Sequence, residues 1–377
     1  MRTPGYQGRL LDALADGCEE LVCFLHSARP DEMKYMDYRC HARNIKYVEL
    51  GIHDSVPRRV LRSRSVTALV KRHRGELDAL LIRGPSPLLA AVAKGAEGKV
   101  LALLLVGDYV AGLKDLDQPW WRKQLISAWS HWNYRRQLSV ARRAVTFVNS
   151  RALYEQLRPL LGELHETRTT TLTEADFHAR EDTCQGRTVR VLYSGRINRG
   201  KGLLEVVDAI ALLATDGLDV VFDLVGWAEA GDDIVDAIRQ RAEHHGIPER
   251  VIFHGYKPVG PELFGVFKDV DLFVTASLHS EGFPRGIWEA MAHSLPVAVT
   301  KVGSIPFFLK DGESGLLVEP GNTAGLADAM GRIIRDGDLR RRLIKEGSKL
   351  ARQQTLEALT PTLLGAIESR VHGEQNS

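Results

Sequence analysis

The sequence predicts an α/β protein of two domains, each built on a parallel sheet, and three observations support this. A length of 377 residues suits two domains better than one. Short apolar segments typical of buried strands alternate with helix-length segments in both halves, which indicates parallel strands joined by crossover helices. The composition, 44% hydrophobic and 26% charged, is that of an ordinary soluble globular protein.

The individual elements follow from this alternation. In the first half we predict strands at 20–24, 45–48, 77–82, 100–106 and 144–148, and helices at 56–74 and Trp120–Ala141. In the second half we predict strands at 189–194, 220–225, 251–254, Leu272–Thr275, 296–300 and 315–318. Because ligands of open α/β sheets bind beyond the carboxyl ends of strands, residues at these ends are the candidates for a site.

Cysteine usage and hydropathy point to a cytoplasmic protein. The four cysteines, Cys18, Cys23, Cys40 and Cys184, form no CxxC pair, so neither a zinc site nor a disulfide framework is indicated. The longest apolar run, 100–106, is far shorter than the roughly 20 residues that a membrane span needs.

Glu281 and Glu289 flank a predicted helix start in the second half. A short apolar strand ends just before them, and Pro284 stands at a natural first helical position. The backbone N–H groups around Gly282 and Phe283 therefore lie at a helix N-terminus, which attracts anions. Carboxylates accept hydrogen bonds from sugar hydroxyls, so the stretch predicts a site for a polyhydroxylated phosphate ester. The alternative is a surface helix with two solvated acids.

A second candidate stretch, Gly195-Arg196-Ile197-Asn198-Arg199-Gly200-Lys201-Gly202, directly follows the strand at 189–194. It is one residue short of a phosphate-binding P-loop, because Gly202 stands where the Mg²⁺-binding hydroxyl would be. A P-loop ATPase is therefore disfavoured. The remaining choices are a metal-free pair of cations for a diphosphate, Arg196 and Lys201, or two solvated loop cations.

Both stretches resemble the retaining glycosyltransferases of the family-4 type, which have the GT-B fold and form group 1. The Glu281-Gly282-Phe283-Pro284 start and the Glu289-Ala290-Met291-Ala292 end match that family's E-x7-E signature, and the loop at 195–202 matches its G-R-x-x-x-x-K-G loop. The resemblance covers 189–342 by motif and the first half by pattern. One departure is Phe307, which stands where the family's G-G-x-P-E turn has glutamate.

The resemblance implies roles for individual residues. Glu281 would contact the donor sugar, Glu289 the nucleotide ribose, and Arg196 with Lys201 the diphosphate. The site residues expected in this way are catalytic Arg196, Lys201, Glu281 and Asp108, and donor-binding Gly195, Gly255, Gly282, Phe283, Pro284 and Glu289. Asp108, at the end of the strand at 100–106, could equally be a helix cap. The two DxD strings, at 115–117 and 269–271, are interpreted as structural, and no metal or cofactor is expected.

The resemblance also implies a domain plan. Residues 1–168 would form an acceptor-side Rossmann-like domain and 189–350 a nucleotide-sugar-binding one, facing each other across a cleft. Residues 169–188 would be a linker, and 351–377 a C-terminal helix crossing back toward the first domain. No strand is predicted ahead of the helix at 9–15, so either the first strand is missing or the native start lies upstream of Met1.

Charge divides the chain unequally. Residues 1–168 contain 27 Lys and Arg against 18 Asp and Glu, whereas 169–377 contain 23 against 30. Two acid-free stretches, 55–75 and 118–154, concentrate the positive charge, and the second contains four tryptophans. Basic residues interleaved with tryptophan suit an anionic membrane surface. The faces expected to dock bear Arg58, Arg59, Arg62, Trp120, Trp121 and Arg122.

Two other interpretations of these stretches stay open. The tryptophans could be core residues beneath a solvated basic face. Arginine and aromatic residues also bind single-stranded nucleic acid, which is disfavoured because no nucleic-acid motif appears.

The function expected is transfer of a sugar, with retention, from a UDP or GDP sugar to a carbohydrate or lipid-linked acceptor, in polysaccharide or glycolipid synthesis. A nucleotide-sugar 2-epimerase uses the same fold, but no clear general base is seen for it. A non-catalytic nucleotide-sugar-binding subunit is the alternative from another class. The enzyme would be cytoplasmic, on the inner face of the membrane if it docks there.

Overall fold

The computed structural model describes residues 2–107, 113, 119–229, 231–279 and 282–375. The chain forms two compact units, one of Met1–Thr169 with Leu359–Ser377 and the other of Thr170–Ala358. None of the described helices combines the length and the apolar composition that crossing a bilayer requires.

The first unit alternates strands and helices along the chain. Its elements are β1 (Arg2–Thr3), α1 (Gly5–Ala15), β2 (Leu21–Ser27), β3 (Tyr38–Arg39), β4 (Ile45–Ile52), α2 (Val56–Leu61), α3 (Ser63–His73), β5 (Ala79–Gly84), α4 (Leu89–Gly95), β6 (Val100–Leu105), α5 (Trp120–Ala141), β7 (Val145–Val148), α6 (Arg151–Leu157) and β8 (Leu164–Glu166).

Parallel pairing dominates the first unit. β5, β6, β7 and β8 form a four-stranded parallel sheet in that order, and β2 pairs with β4 in parallel. All six residues of β6 are buried, as expected of a central parallel strand covered on both faces. The two-residue strands β1 and β3 pair antiparallel, apart from these sheets.

The second unit has the elements β9 (Val189–Arg196), α7 (Leu203–Thr215), β10 (Val220–Trp227), α8 (Ile234–His244), β11 (Val251–Gly255), α9 (Pro261–Lys268), β12 (Leu272–Thr275), α10 (Arg285–Ala292), β13 (Val297–Thr300), α11 (Ile305–Phe308), β14 (Leu316–Val318), α12 (Thr323–Arg335) and α13 (Gly337–Arg352). A last helix, α14 (Leu356–Gln375), follows, and its residues from Leu359 onward belong to the first unit.

The six strands of the second unit form one parallel sheet in the order β11-β10-β9-β12-β13-β14. This is the doubly wound Rossmann order, in which the chain moves outward from the centre in both directions. One hydrophobic cluster packs α7, α8 and α12 on one face of the sheet, and a second packs α9 and α10 on the other. Burial of both faces explains the continuous apolar runs that predict these strands.

Two expectations about the first half need correction, and one strand was not predicted. The helix predicted at 56–74 is two helices, because the Arg62 backbone leaves the helical range at ψ 1°. A strand, β1, does precede α1, but its two residues pair with β3 and contain too little apolar sequence to signal a strand. The strand β8, Leu-His-Glu, lacks the apolar run on which the prediction relied.

Segment 169–188 is packed rather than extended between units. Leu172 is fully buried in the core of the second unit. The Arg180 guanidinium donates to the backbone oxygens of Phe267, Lys268, Val270 and His293. The polar composition of the segment suggested a linker. The contacts that hold it in place join it to residues about 90 or more positions away, and a sequence pattern does not show such contacts.

An ion pair inside the second unit fixes this segment. The Arg340 guanidinium donates to both carboxylate oxygens of Asp182 at 2.5 and 3.0 Å, and to the backbone oxygens of Ile333 and Ile334. The Arg340 side chain is only 7% exposed. Although burial raises it, hydrogen bonds from Arg340, the Thr183 N–H and Arg341 hold the pKa of Asp182 below its usual value.

We expect Arg340→Ala to lower the free energy of unfolding by about 3–5 kcal/mol, because it removes the buried cationic partner of a largely buried carboxylate and the donor to two carbonyl groups. Arg341→Ala is the matched control, since Arg341 also contacts Asp182 but is 51% exposed; we expect it to cost about 1 kcal/mol or less. Calorimetric unfolding of the full chain measures both. Equal losses in the two variants would contradict the assignment.

Candidate functional site

The sheet order of the second unit defines one place where a ligand is expected. β9 lies beside β12, and the chain leaves this pair in opposite directions, to β10 on one side and to β13 on the other. Such a switch point opens a crevice beyond the carboxyl ends of the two strands. The two candidate stretches of the sequence follow β9 and β12 directly, so both belong to this crevice.

Backbone approaches backbone very closely here. A Cβ at Gly202, which has φ 65°, would lie 2.0 Å from the carbonyl oxygen of Ala276. A Cβ at Gly226 would lie 1.8 Å from the carbonyl oxygen of Gly195. The Leu278 N–H donates to the Gly200 carbonyl oxygen at 2.9 Å, which joins the loop after β12 to the loop after β9. Glycine is therefore required sterically for the two loops to meet.

The loop at 195–202 carries three cations. Arg196, the last residue of β9, pairs with Glu229 at 3.2 Å, and Arg199 pairs with Asp233 at 2.9 Å. The side chains of Arg196 and Glu229 are 54% and 71% exposed, so this pair is weak and an incoming anion can replace the carboxylate. Lys201 closes the short turn that precedes α7.

Helix α10 begins against the end of β9. It starts at Arg285, one residue later than predicted, because Pro284 has the extended conformation of a capping residue, with ψ 122°. A Cβ at Gly286 would lie 3.0 Å from the Ser194 carbonyl oxygen, so a glycine in the first turn lets the helix approach β9. The backbone donors of this first turn and the positive end of the helix dipole therefore lie at the switch point.

An aromatic cluster fixes the loop that leads into α10. The Phe283 ring stacks on Trp288 with centroids 4.0 Å apart, and both contact the edge of Phe308. Trp288 is only 1% exposed. The Phe283 side chain is therefore held in this cluster, and the role predicted for its backbone N–H stays a prediction.

Glu289 is buried, with 5% exposure, one turn into α10. Its Oε1 accepts a hydrogen bond from the Thr171 hydroxyl at 2.9 Å, which orients the carboxylate. Its backbone oxygen accepts from Nδ1 of His293 at 2.7 Å. Burial between Phe264 and Phe267 lowers the pKa of His293 to about 4, so this imidazole is neutral near pH 7. The sequence suggested a solvated acid as the alternative for Glu289, and its burial excludes that.

The carboxyl ends of β10 and β11 extend the crevice toward the sheet edge. Trp227 ends β10, and Tyr256 follows Gly255 at the end of β11, with ring centroids 5.5 Å apart. Gly255 has φ 68° and no heavy atom within 4 Å of its would-be Cβ, so its backbone is open. Beneath them, buried Asp223 accepts from Arg190 and His254 at 2.5 and 2.7 Å.

Two predicted site residues, Asp108 and Glu281, lie outside the described residues. The structure gathers the others, Gly195, Arg196, Lys201, Gly255, Gly282, Phe283, Pro284 and Glu289, at the carboxyl edge of one sheet or on α10.

Sequence reasoning missed Thr171, Gly226 and Gly286 as positioning residues. Gly286 had a visible signal, being a glycine in the first turn of a helix. Thr171 had none, because it lies 118 positions from its partner Glu289.

The two DxD strings carry carboxylates, which are possible metal ligands. Asp271 of the second DxD string accepts from the N–H groups of Cys184 and Arg190, at 2.8 and 2.9 Å, as a structural residue. The first string lies outside the described residues. Within the described ranges, no group of three His, Cys, Asp or Glu side chains is placed to hold a metal ion.

Two Rossmann-like units, one with a phosphate-attracting switch point, define the GT-B class of fold. The solved structure of Anabaena HepE in complex with UDP has the same fold, with a TM-score of 0.74, 18% identity, and coverage of 98% of each chain. The fold class predicted from the sequence is confirmed.

Residues 177–350 match the family described as "Glycosyl transferases group 1". The matched region includes the switch point and both candidate stretches. The matched region lies within the second unit, and it confirms the group 1 part of the resemblance drawn from the sequence.

Curated relatives carry similar names. The chain is 32% identical over 181 residues to the lipopolysaccharide core biosynthesis glycosyltransferase LpsE of Rhizobium meliloti, covering 48% of this chain and 50% of LpsE. It is 32% identical over 157 residues to a D-inositol 3-phosphate glycosyltransferase of Corynebacterium jeikeium, covering 41% of this chain and 37% of that protein. The matched region spans half or less of the length of these relatives.

The close approach at Gly202 can be tested directly. We expect Gly202→Ala to destabilise the second unit by about 1–3 kcal/mol more than Gly217→Ala, because only the former places a methyl group against a carbonyl oxygen. Gly217 is the matched control, since it has a similar φ of 79° but no heavy atom within 4 Å. Calorimetric unfolding of both variants measures the difference, and equal destabilisation would show that the loops do not need to meet at this distance.

Proposed function

We propose that the protein is a retaining glycosyltransferase that moves a sugar from a UDP or GDP sugar to an acceptor hydroxyl in cell-surface polysaccharide or glycolipid synthesis. The observation that carries this proposal is the joining of two loops at the switch point through Leu278 and Gly200. One loop supplies guanidinium and ammonium groups, and the other supplies a helix N-terminus. Together they suit a diphosphate that carries a sugar on one side and a nucleoside on the other.

The proposed roles divide the donor among the described groups. Arg196 and Lys201 neutralise the diphosphate, aided by the backbone N–H groups of Gly282 and Phe283. Glu289, oriented by Thr171, accepts hydrogen bonds from the ribose hydroxyls. Backbone at Gly255 contacts the base. Glu281 would bind the donor sugar, and Asp108 would lie near the acceptor hydroxyl; both remain proposals from the sequence.

The proposed reaction is balanced without a side-chain nucleophile. The bond between the anomeric carbon and the diphosphate oxygen breaks, and the acceptor oxygen bonds the same carbon on the same face. The acceptor proton passes to an oxygen of the leaving diphosphate. Fixed cations stabilise the negative charge that develops on that group, which is the largest single contribution in reactions of this kind.

The names of relatives support this choice over the two alternatives. HepE has been solved with UDP and with UDP-glucose, and both curated relatives described above are named as transferases. An epimerase or a non-catalytic subunit has no such support.

We expect Arg196→Ala and Lys201→Ala each to reduce kcat by about 10²–10³-fold, because each removes a fixed donor to the leaving group. A thermal-shift screen against nucleotide sugars identifies the donor first, since a ligand at roughly a hundredfold excess over Kd adds about 2.7 kcal/mol of stability. Transfer of the sugar to acceptor or to water is then measured.

The controls for these variants are Arg332→Ala and Lys345→Ala, exposed residues of the same unit on α12 and α13. They should keep the activity of the unchanged chain, and all four variants should keep its melting temperature within a few degrees. Unchanged turnover in both Arg196→Ala and Lys201→Ala would contradict the proposal.

We also propose that the first unit docks on an anionic membrane through α5. The polar side chains Ser130, Asn133 and Gln137 of this helix are buried. Four of its large apolar side chains are exposed instead, 79% for Trp120, 53% for Trp121, 64% for Leu125 and 50% for Trp132. The exposed face therefore combines indoles with basic residues, the composition that suits the headgroup region of a bilayer. This excludes the core-tryptophan alternative for these three tryptophans.

Docking through α5 predicts binding to anionic vesicles that weakens with salt, because the attraction falls off within a Debye length. We expect Arg122→Gln with Lys123→Gln to weaken binding about 30-fold, at about 1 kcal/mol for each basic residue. Trp121→Ser with Leu125→Ser and Trp132→Ser should abolish flotation. Phe307→Ser is the control, since Phe307 is 65% exposed in the second unit. If the protein ignores anionic vesicles at low salt, the membrane proposal is wrong.

A further inference from the structure

Imidazole and guanidinium groups gather at the carboxyl end of β2 and β4 in the first unit. The rings of His26, near the end of β2, and His53, just after β4, lie with centroids 5.9 Å apart. The Arg62 side chain lies over the last residues of β4. Its Nη1 would lie 3.1 Å from a Cβ at Gly51, and it donates to the Ile52 carbonyl oxygen at 3.4 Å. We call His26, His53, Arg59 and Arg62 the strand-end cluster.

Positive charges crowd one another in the strand-end cluster. Burial lowers the pKa of His26, and the charges of Arg59, His53 and Arg62 lower it further, against the opposing effect of its hydrogen bond to the Gly51 carbonyl. A place where cations crowd an imidazole in this way is one where an anion would be stabilised.

Two carboxylates lie next to the strand-end cluster, and each is engaged. Glu32 accepts from Nδ1 of His53 at 2.8 Å. Asp54 accepts from Arg58 at 3.3 Å and from the Ser55 N–H, and it lies close enough to Arg62 for the charge to affect its pKa, which is lowered. Neither carboxylate accepts a described hydrogen bond from His26 or Arg59.

Within the part of the chain that the structure describes, two groups of the strand-end cluster have no hydrogen-bond partner. The Nε–H of Arg59 is shielded from solvent and has no acceptor among the described residues. Nδ1 of His26 donates to Gly51 at 3.1 Å, which leaves Nε2 at the outer edge of the ring for another contact. A shielded guanidinium N–H without an acceptor is costly, and a charged acceptor satisfies it most effectively.

We propose that the strand-end cluster binds a phosphate group of the acceptor, so that the substrate class is a phosphorylated hydroxyl compound rather than a neutral sugar. This inference rests on the proposed transferase function. The carboxyl end of parallel strands is where open α/β sheets hold ligands. A phosphate oxygen accepts from Arg59 and Arg62 as fixed forks, and from His26 once it is protonated. The phosphate could be an ester on a soluble acceptor or part of a lipid carrier, since both offer the same oxygens.

Histidine NMR gives a readout specific to this place. The ring signals of His26 and His53, in full-length protein with isotope-labelled histidine, are assigned with His26→Gln and His53→Gln. The protein carries Arg196→Ala and Lys201→Ala, so that phosphate binding in the second unit does not interfere. Inorganic phosphate is titrated at constant pH, against sodium chloride at matched ionic strength. We expect saturable shifts of both rings with phosphate alone.

Arginine variants show whether the strand-end cluster is responsible. Arg59→Gln with Arg62→Gln should weaken phosphate binding at least about tenfold, the loss of one charge-assisted hydrogen bond or more. Arg59→Gln alone should act in the same direction, and it removes no hydrogen bond of the fold. Arg64→Gln with Arg72→Gln, exposed arginines of α3, is the matched control and should leave the shifts unchanged.

A second arm of the experiment distinguishes a lipid-linked phosphate from a soluble phosphate ester. Vesicles of phosphatidylcholine with phosphatidic acid replace inorganic phosphate, in protein that also carries the three serine substitutions of α5. Binding that Arg59→Gln with Arg62→Gln removes would assign a lipid-linked phosphate, and response to soluble phosphate alone would assign a soluble ester. The inference would be overturned if sodium chloride caused the same histidine ring shifts as phosphate. It would also be overturned if the shifts remained both in Arg59→Gln and in Arg59→Gln with Arg62→Gln. Loss of sugar transfer in Lys201→Ala is measured separately, so failure of the function and failure of this inference are distinguishable.

Discussion

Backbone contact without side chains is the constraint on which the second unit depends. The loop after β9 reaches the loop after β12 only because Gly202 has no Cβ to meet the Ala276 carbonyl 2.0 Å away. The same holds between Gly226 and Gly195, one strand further along. These contacts let a cationic loop and a helix N-terminus share one crevice, where their attractions for an anion add. The arrangement of the crevice therefore depends on the absence of a Cβ at Gly202 and Gly226.

The second half of the chain was largely predictable from its sequence. Both faces of its sheet are buried, so each strand is a short apolar run and each helix has one apolar face, and pattern finds them to within a few residues. Leu272–Thr275 has the predicted bounds, and β13 differs by one residue at its start. The loop at 195–202 and the start of α10 were visible because they are local in sequence. Their meeting at the switch point follows from strand order, which the alternation of elements favours but does not fix.

The rest depended on contacts between distant residues. Thr171 orients Glu289 from 118 positions away, and Arg180 donates to carbonyl groups on two other parts of the chain, 267–270 and His293. Neither contact is visible in the sequence pattern, so 169–188 resembled a linker. The bounds of α5 were predicted correctly, but not which of its faces would be exposed. Its buried face carries Asn133 and Gln137, and periodicity assigns such residues to solvent. Pattern rules assume that apolar residues are buried, and α5 departs from that assumption.

The division of the first unit into two separate stretches of chain affects how the protein is made. Leu363 and Ile367 of α14 complete the cluster that covers one face of the β5–β8 sheet, together with Leu14, Val100 and Phe147. The part of that face beneath α14 has no cover until this helix has left the ribosome, although all of the strands were synthesised much earlier. The second unit, which is continuous, can close first as it emerges, because domains fold as units during synthesis. The first unit to be translated is thus the last to be finished, and its open sheet face must be kept from other chains for the time that the ribosome needs to add more than 200 residues.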